Sequence, residues 1–247
     1  MNQRIMDHIE YLEKAESTQD IVYGMARHGA QEWTAVCTFA QTAGRGRMGR
    51  KWETPHGANI ALSFLLRPDC ETRFAPLYGL MASVATVLAL EHYCPRSDIK
   101  VKWPNDVIVD GRKIAGILPQ AHLNGLQLDF VVIGLGLNVN SVEADFPPEL
   151  RDKVTSVRCL TGADNDPAEI AESFLERMIN LYDQSKVDGF DPVIGLWSRK
   201  WAHRGCVISR SGIEGTAEGI DELGALMVRI PDGSLVKLSG GETQFQA

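Results

Sequence analysis

Two dipeptides, Asp110-Gly111 and Asn124-Gly125, constrain this chain more tightly than any other feature. Each separates apolar runs, and an Asp-Gly or Asn-Gly pair readily supplies the two positive-φ positions of a tight hairpin turn. Residues 99–102 and 107–109, the strand returning from Arg112 through Leu118, and residues 126–137 are therefore predicted to form one antiparallel meander. Gly134 and Gly136 in its last strand permit close approach of another backbone. The meander gathers Lys102, Asn105, Asp106, Lys113 and Asn138 onto neighbouring strand ends. A lysine in a strand is usually a solvated edge charge, so neither lysine alone argues for chemistry.

The second feature is QTAGRGRMGRKW, residues 41–52, which sets Gly44, Gly46 and Gly49 among Arg45, Arg47, Arg50 and Lys51 with no acid between. The chain as a whole carries a formal net charge of -7. Glycine lets a backbone approach a ligand closely, and arginine offers a planar, permanently charged fork for carboxylate or phosphate oxygens. The stretch is a candidate anion clamp; taken alone it is equally a solvated basic turn. Gly44 to Gly49 also satisfies GxGxxG, but that fingerprint needs a strand before it and a helix after it. Here Pro55 and Gly57 follow, then an apolar strand over 60–66, so a dinucleotide-binding fold is excluded. The expectation is a long loop between strands 34–41 and 60–66, poorly ordered without ligand, that closes over something anionic.

The rest reads as an α/β protein ending in short strands. Ser17 or Thr18 precedes Ile21, Val22, Met25 and Ala26 at helical spacing, where a hydroxyl is an ordinary N-cap. Residues 78–93 form a helix covering a sheet face; the uncharged run 75–90 contains Pro76 and falls short of the ~20 residues of a membrane span. Pro167 opens an amphipathic helix with Ile170, Phe174, Met178 and Leu181 on one face, and a further helix spans 193–201. Residues 5–12 and 150–162 are mixed. CVISR, GTAEGI, ALMVRI and LVKLS, separated by turn sequences, predict a small β-barrel, which divides the chain into 1–202 and 203–247. The five cysteines are widely spaced without a CxxC pair, and the N-terminus lacks a signal-peptide pattern. Reduced thiols, a cytoplasmic location and no membrane contact are expected.

Taken as a set, Ser17-Thr18, GRGRMGRKW at 44–52, KWPND at 102–106, GRKIAGIL at 111–118 and GLGLNVN at 134–140 resemble the biotin-protein ligases in wording, order and spacing. EGIDELGALMV from Glu218 and LSGGE from Leu238 resemble that family's C-terminal domain. The resemblance implies an α/β catalytic domain, a mixed sheet with covering helices related to class II aminoacyl-tRNA synthetases, followed by an SH3-like β-barrel. It implies that biotin and ATP, with Mg2+, give biotinyl-5'-AMP and pyrophosphate, and that a lysine of a biotin carboxyl carrier domain then takes the biotin.

By the same resemblance Arg45 and Arg47 contact biotin and the phosphate chain, and Lys113 lies against the biotin carboxylate. Arg50 meets the leaving pyrophosphate, Trp52 packs on the adenine and Lys102 adds positive charge. Asn105 is a polar contact of the ATP site, Asn138 lies near the nucleotide and the metal, and Gly46 and Gly116 border biotin. Biotin's ureido ring has two N–H donors and one carbonyl, which a buried site must match; Ser17, Thr18, Gln19 and Gln41 are the candidates. Asp106 is open between a turn aspartate and a group that orients or deprotonates the acceptor lysine. Lys113 and Arg47 are expected to face solvent in the empty site.

Three departures stand out. Only sixteen residues precede Ser17, so no DNA binding is expected. Gln19 stands where the family often has asparagine. Pro119-Gln120 follows IAGIL where an acid is common, and Pro119 cannot donate to a sheet ladder, so any homodimer contact there is expected to differ. The rivals are a lipoate- or octanoate-protein ligase of related fold, whose pocket would favour apolar groups in place of the ureido partners, and a non-catalytic nucleic-acid module using the basic loop. Against the latter, the region from Trp201 onward carries four Arg or Lys and six Asp or Glu, a poor electrostatic footprint.

Overall fold

The computed structural model describes residues 9–52, 57–210, 212–241 and 243–246; Pro55, the start of the 5–12 segment and Glu242 of LSGGE lie outside them. In chain order, β1 (Ile9–Leu12), α1 (Thr18–Arg27), β2 (Ala35–Thr38) and β3 (Asn59–Leu66) lead to α2 (Ala75–Tyr93). The meander follows as β4 (Ile99–Lys102), β5 (Asp106–Val109), β6 (Arg112–Asn124) and β7 (Gln127–Asn138). Helices α3 (Val157–Thr161), α4 (Pro167–Asp188) and α5 (Asp191–Lys200) precede β8 (Val207–Arg210), β9 (Ile213–Ile220), β10 (Leu226–Arg229), β11 (Leu235–Leu238) and β12 (Gln244–Gln246).

Both dipeptides turn the chain: Asp110 and Gly111 take φ 49° and 75°, while in the second turn Gly125 alone is at positive φ, 62°, close to a register shift between His122 and Leu123. The seven-stranded sheet runs β1-β2-β3-β7-β6-β5-β4. Its pairs are antiparallel except β1 with β2, where Ile9 to Leu12 lie parallel to Ala35 to Thr38. That edge strand was not legible in the mixed charge pattern of residues 5–12. The β6/β7 hairpin extends β6 past its pairing with β5, so Pro119 sits in a stretch open on one side, where a missing N–H costs no ladder bond.

The sheet is covered on both faces. Helices α2, α4 and α5 pack on one, in a core that takes Ile60, Leu62, Phe64 and Leu66 of β3 and Val131, Ile133, Leu135 and Leu137 of β7. Against the other, α1 packs Val22 and Ala26 onto Val36, Leu65, Phe130 and Val132. A strand buried on both faces reads as a continuous apolar run, and all eight residues of β3 are buried. The segment Thr72–Tyr93 is long and apolar enough to cross a membrane by length and composition, yet 72% of its most apolar window is buried inside the protein.

The second sheet is antiparallel, in the order β11-β10-β9-β8-β12; its last strand was not foreseen. It shares the main core through Ile208, Ala217, Leu226, Val228 and Leu238. The Trp103 indole N–H donates to the Gly224 carbonyl at 3.1 Å. A Cβ at Gly224 would stand 2.8 Å from Leu80 Cδ1, and its φ is +81°, so this turn needs glycine on two counts.

Candidate active site

Period-two alternation along the central strands builds the floor of a cavity. With Ile60, Leu62 and Phe64 committed to the α2 side, Ala61 and Ser63 face α1; on β7, Gly134 and Gly136 do the same. The register sets Ala61 beside Gly136 beside Gly116, and Ser63 beside Gly134 beside Leu118. Small side chains across three adjacent strands leave a depression, and every sequence-selected residue except Asn138 lines the resulting cavity of about 190 Å³.

The Ser63–Gly134 row is closed by uncharged hydrogen-bonding groups. Ser17 caps α1, its side chain accepting from the Asp20 N–H at 3.3 Å, so the ordinary structural reading of this hydroxyl holds while it also borders the cavity. Gln41 is pinned beside Ala15, and its Oε1 accepts from the Thr18 N–H at 3.0 Å. Gln19 is 4% exposed and reaches across the sheet: Nε2 donates to the carbonyls of Val132 at 3.3 Å and Leu118 at 3.4 Å, and Oε1 accepts from Ser63. The longer reach of glutamine makes these bonds. Its Oε1 would be 2.5 Å from a Cβ at position 134, so Gly134 admits a side chain, where the sequence suggested backbone.

The Gly136–Gly116 row is closed by the basic loop. That loop folds back as a short hairpin: Gly46 N–H donates to Arg50 O at 2.8 Å, Trp52 N–H to Gly44 O at 3.0 Å, and Arg45 pairs with Lys51. A Cβ at Gly44 would stand 2.3 Å from Trp52 O, which requires glycine there. The return places the Trp52 indole flat on the sheet, where a Cβ at Gly136 would lie 2.2 Å from the ring and one at Gly116 3.1 Å. Trp52 Nε1 is buried without a hydrogen-bond partner. The indole takes up part of a cavity already smaller than the ~300–1,000 Å³ of typical ligand sites.

Lys113 and Gly116 are three residues apart, so strict alternation would put them on opposite faces. A bulge resolves this: Ile108 opposes Lys113 and Val107 opposes Ala115, leaving Ile114 as the extra residue, and both Ile114 and Ala115 enter the main core. Lys113 thereby returns to the cavity side. Its ammonium lies 2.7 Å from Asp106 Oδ1 and 5.4 Å from the centre of the Trp52 ring. It is thus held in place, about one-third exposed, which corrects the expectation of a solvent-facing lysine. Arg47 is likewise half-buried, donating from Nη1 to Asn105 Oδ1 at 2.7 Å. Arg45 is more exposed and pairs with Asp20 in the first turn of α1.

Among the described residues, six cationic side chains, Arg45, Arg47, Arg50, Lys51, Lys102 and Lys113, and a single carboxylate, Asp106, line the cavity. Beside Lys102, burial first and the lysine charge second hold the His203 imidazole down to about 4, so it is neutral at neutral pH. Asn138 stands apart: it is 3% exposed and donates to the Thr155 carbonyl at 3.0 Å. Among the described residues no group of three His, Cys, Asp or Glu could hold a metal ion. Sequence reasoning missed Ser63, whose signal was a lone hydroxyl inside the apolar run NIALSFLL, and Thr243, which the second sheet brings to the cavity wall.

Comparison with known proteins agrees with this geometry. Residues 11–138 match the Biotin/lipoate A/B protein ligase family, and residues 210–245 match the Biotin protein ligase C terminal domain. A biotin--[acetyl-CoA-carboxylase] ligase of Paracoccus denitrificans is 35% identical over 81% of this chain and 86% of its own length. The bifunctional ligase/repressor BirA of Bacillus subtilis is 34% identical over 92% of this chain and 70% of its own length. The solved biotin protein ligase of Aquifex aeolicus, in complex with biotin and ATP, superposes with a TM-score of 0.82 at 28% identity, covering 97% of this chain and 98% of that one.

Proposed function

This chain belongs to the biotin-protein ligase family, and from that premise we propose how its cavity divides the two substrates. The enzyme activates biotin with ATP and passes it to an acceptor protein. The observation that supports the division is the change of polarity along the floor. The Ser63–Gly134 row carries neutral donors and acceptors, while the Gly136–Gly116 row, about 7 Å further along the strands, carries the cations. A molecule with a neutral hydrogen-bonding ring at one end and a carboxylate at the other fits that gradient. Ser17, Thr18 and Gln41 receive the ureido ring, and the carboxylate reaches Lys113.

In the first step a biotin carboxylate oxygen attacks the α-phosphorus of ATP, the bond to the bridging oxygen breaks and pyrophosphate leaves. Two like charges ~4 Å apart repel by about 4 kcal/mol at an effective dielectric near 20. Fixed cations oppose that repulsion without reorganising. Lys113 serves the carboxylate and the bridging oxygen, Arg45, Arg47 and Lys102 the biotin and phosphate chain, and Arg50 the leaving group. Mg2+ would arrive on the nucleotide's phosphates, since a metal of this kind is commonly held by phosphates, water and one or two carboxylates. Trp52 lifts from the glycine floor and lies against the adenine. Asn105 positions Arg47, and Asn138 supports the strand end behind the nucleotide.

In the second step the acceptor amine attacks the acyl carbon, the acyl–phosphate bond breaks, AMP leaves and the nitrogen loses a proton. Asp106, tied to Lys113, orients that ammonium. The acceptor is a lysine on the carrier domain of a biotin-dependent carboxylase. No DNA-binding role is proposed for the residues given. The mixed anhydride is labile to water, so closure of the basic loop also protects it. Amides 44–51 should exchange rapidly in the free enzyme and slow by about tenfold or more when biotin and ATP are added near saturation. Unchanged exchange would show that the loop does not close over the substrates.

A further inference from the structure

We infer that Ser63 and Gln19 are positioning residues that fix the direction of the hydrogen bonds around Thr18, so that the Thr18 hydroxyl meets a ligand ring only as an acceptor of its N–H. The argument follows single protons. Gln19 Nε2 faces two sheet carbonyls, Val132 O and Leu118 O. The flipped amide would set oxygen against both, so the nitrogen belongs there and Oε1 faces Ser63. Ser63 has one proton, and Gln19 Oε1, which can only accept, takes it at 3.2 Å. Ser63 Oγ must then accept in its 2.9 Å contact with Thr18 Oγ1, so the Thr18 proton points inward. The other neighbour of that hydroxyl, Gln41 Oε1 at 3.3 Å, is also an acceptor. The Thr18 proton is therefore spent inside the protein whichever of the two holds it, and only lone pairs remain for the cavity.

The network is open only toward the cavity: Thr18, Gln19 and Ser63 are 3%, 4% and 1% exposed. Once a ring fills that end of the cavity and displaces its water, a polar group left unpaired there is costly. The inference rests on the reading of this end of the cavity as the ureido pocket. It adds that the site selects a ring bearing N–H at one particular position and rejects an otherwise identical ring with an acceptor there.

The test uses biotin-dependent exchange of labelled pyrophosphate into ATP by the full chain. Biotin is compared with the two cyclic carbamates in which one or the other ureido N–H is replaced by oxygen. The wild-type protein should prefer biotin over one of the two carbamates by at least about tenfold in kcat/KM. In Gln19→Met the Ser63 proton is free to turn to Thr18, which leaves the Thr18 proton only the longer 3.3 Å contact with Gln41 Oε1 and lets it turn to a ring acceptor in the cavity. In Ser63→Ala the inward acceptor at 2.9 Å is gone and the same longer contact alone remains. Both variants should raise KM for biotin, leave KM for ATP unchanged, and lower the preference over that carbamate by about threefold or more. Melting curves check that each variant is folded.

Equal losses for biotin and carbamate, with the preference unchanged, would overturn the inference while leaving the ureido pocket standing. So would a wild-type protein that uses both carbamates as well as biotin. No exchange with biotin in the wild type would overturn the underlying reading and this inference with it.

Discussion

Replacing Lys113 by alanine should lower biotin-dependent pyrophosphate exchange by about 10²–10³-fold, the loss seen when one fixed group stabilising developing charge is removed. The bulge in β6 exists at the residue that brings this ammonium to the cavity face, and Asp106 fixes it from below. The same substitution should cost about 1 kcal/mol of stability or less, because a partly exposed ion pair contributes little. Lys113→Arg should recover only part of the rate, since a longer planar fork cannot stand where the ammonium sits 3.0 Å from the Cβ position of Gly116. Parallel loss of folding and exchange in Lys113→Ala would return this lysine to a structural role.

Phe64→Ala should do the opposite, destabilising the protein by about 3–5 kcal/mol. Phe64 is wholly buried in β3, stacked on Trp33 at 5.8 Å and edge-on to Phe174 at 5.9 Å, so it joins the sheet to α4. For a chain of this size each kcal/mol lowers Tm by roughly 2–4 °C, and the midpoint should fall by roughly 6–20 °C. Since Phe64 faces away from the cavity, exchange activity measured well below the midpoint should change little. A loss of activity in a fully folded variant would show that the two sheet faces are coupled.

The sequence announced most of this architecture wherever a local rule acts alone. Asp-Gly and Asn-Gly turns set the meander, and the apolar runs of β3 and β7 read as strands buried on both faces. What was hidden depends on tertiary pairing. The short IEYL segment of β1, preceded by Asp7 and followed by Glu13 and Lys14, pairs as a strand with the parallel edge that Ala35 to Thr38 offers it. The β-bulge that turns Lys113 toward the cavity leaves no mark in GRKIAGIL.

The same division holds at the cavity. Arg47, Lys113 and Trp52 were legible from glycine spacing, charge and family resemblance. Their engaged state was not, since Asn105 and Asp106 reach them only through sheet register. Ser63 escaped notice because one hydroxyl in an apolar strand is ordinarily satisfied by backbone. Asn138 shares the parity of Gly134 and Gly136 but stands at the very end of β7, where the Thr155 carbonyl takes its side chain, and the motif GLGLNVN gives no sign of that.

The measurement that bears most directly on the proposed chemistry is exchange of labelled pyrophosphate into ATP by the purified chain, with biotin, lipoate and octanoate supplied separately. Exchange with biotin alone is the predicted result: the neutral end of the cavity offers partners to a ureido ring, and the lipoyl and octanoyl chains have no polar groups to use them. Exchange with lipoate or octanoate in place of biotin would contradict the assignment of Ser17, Thr18 and Gln41, and silence with all three would contradict adenylate formation in this cavity.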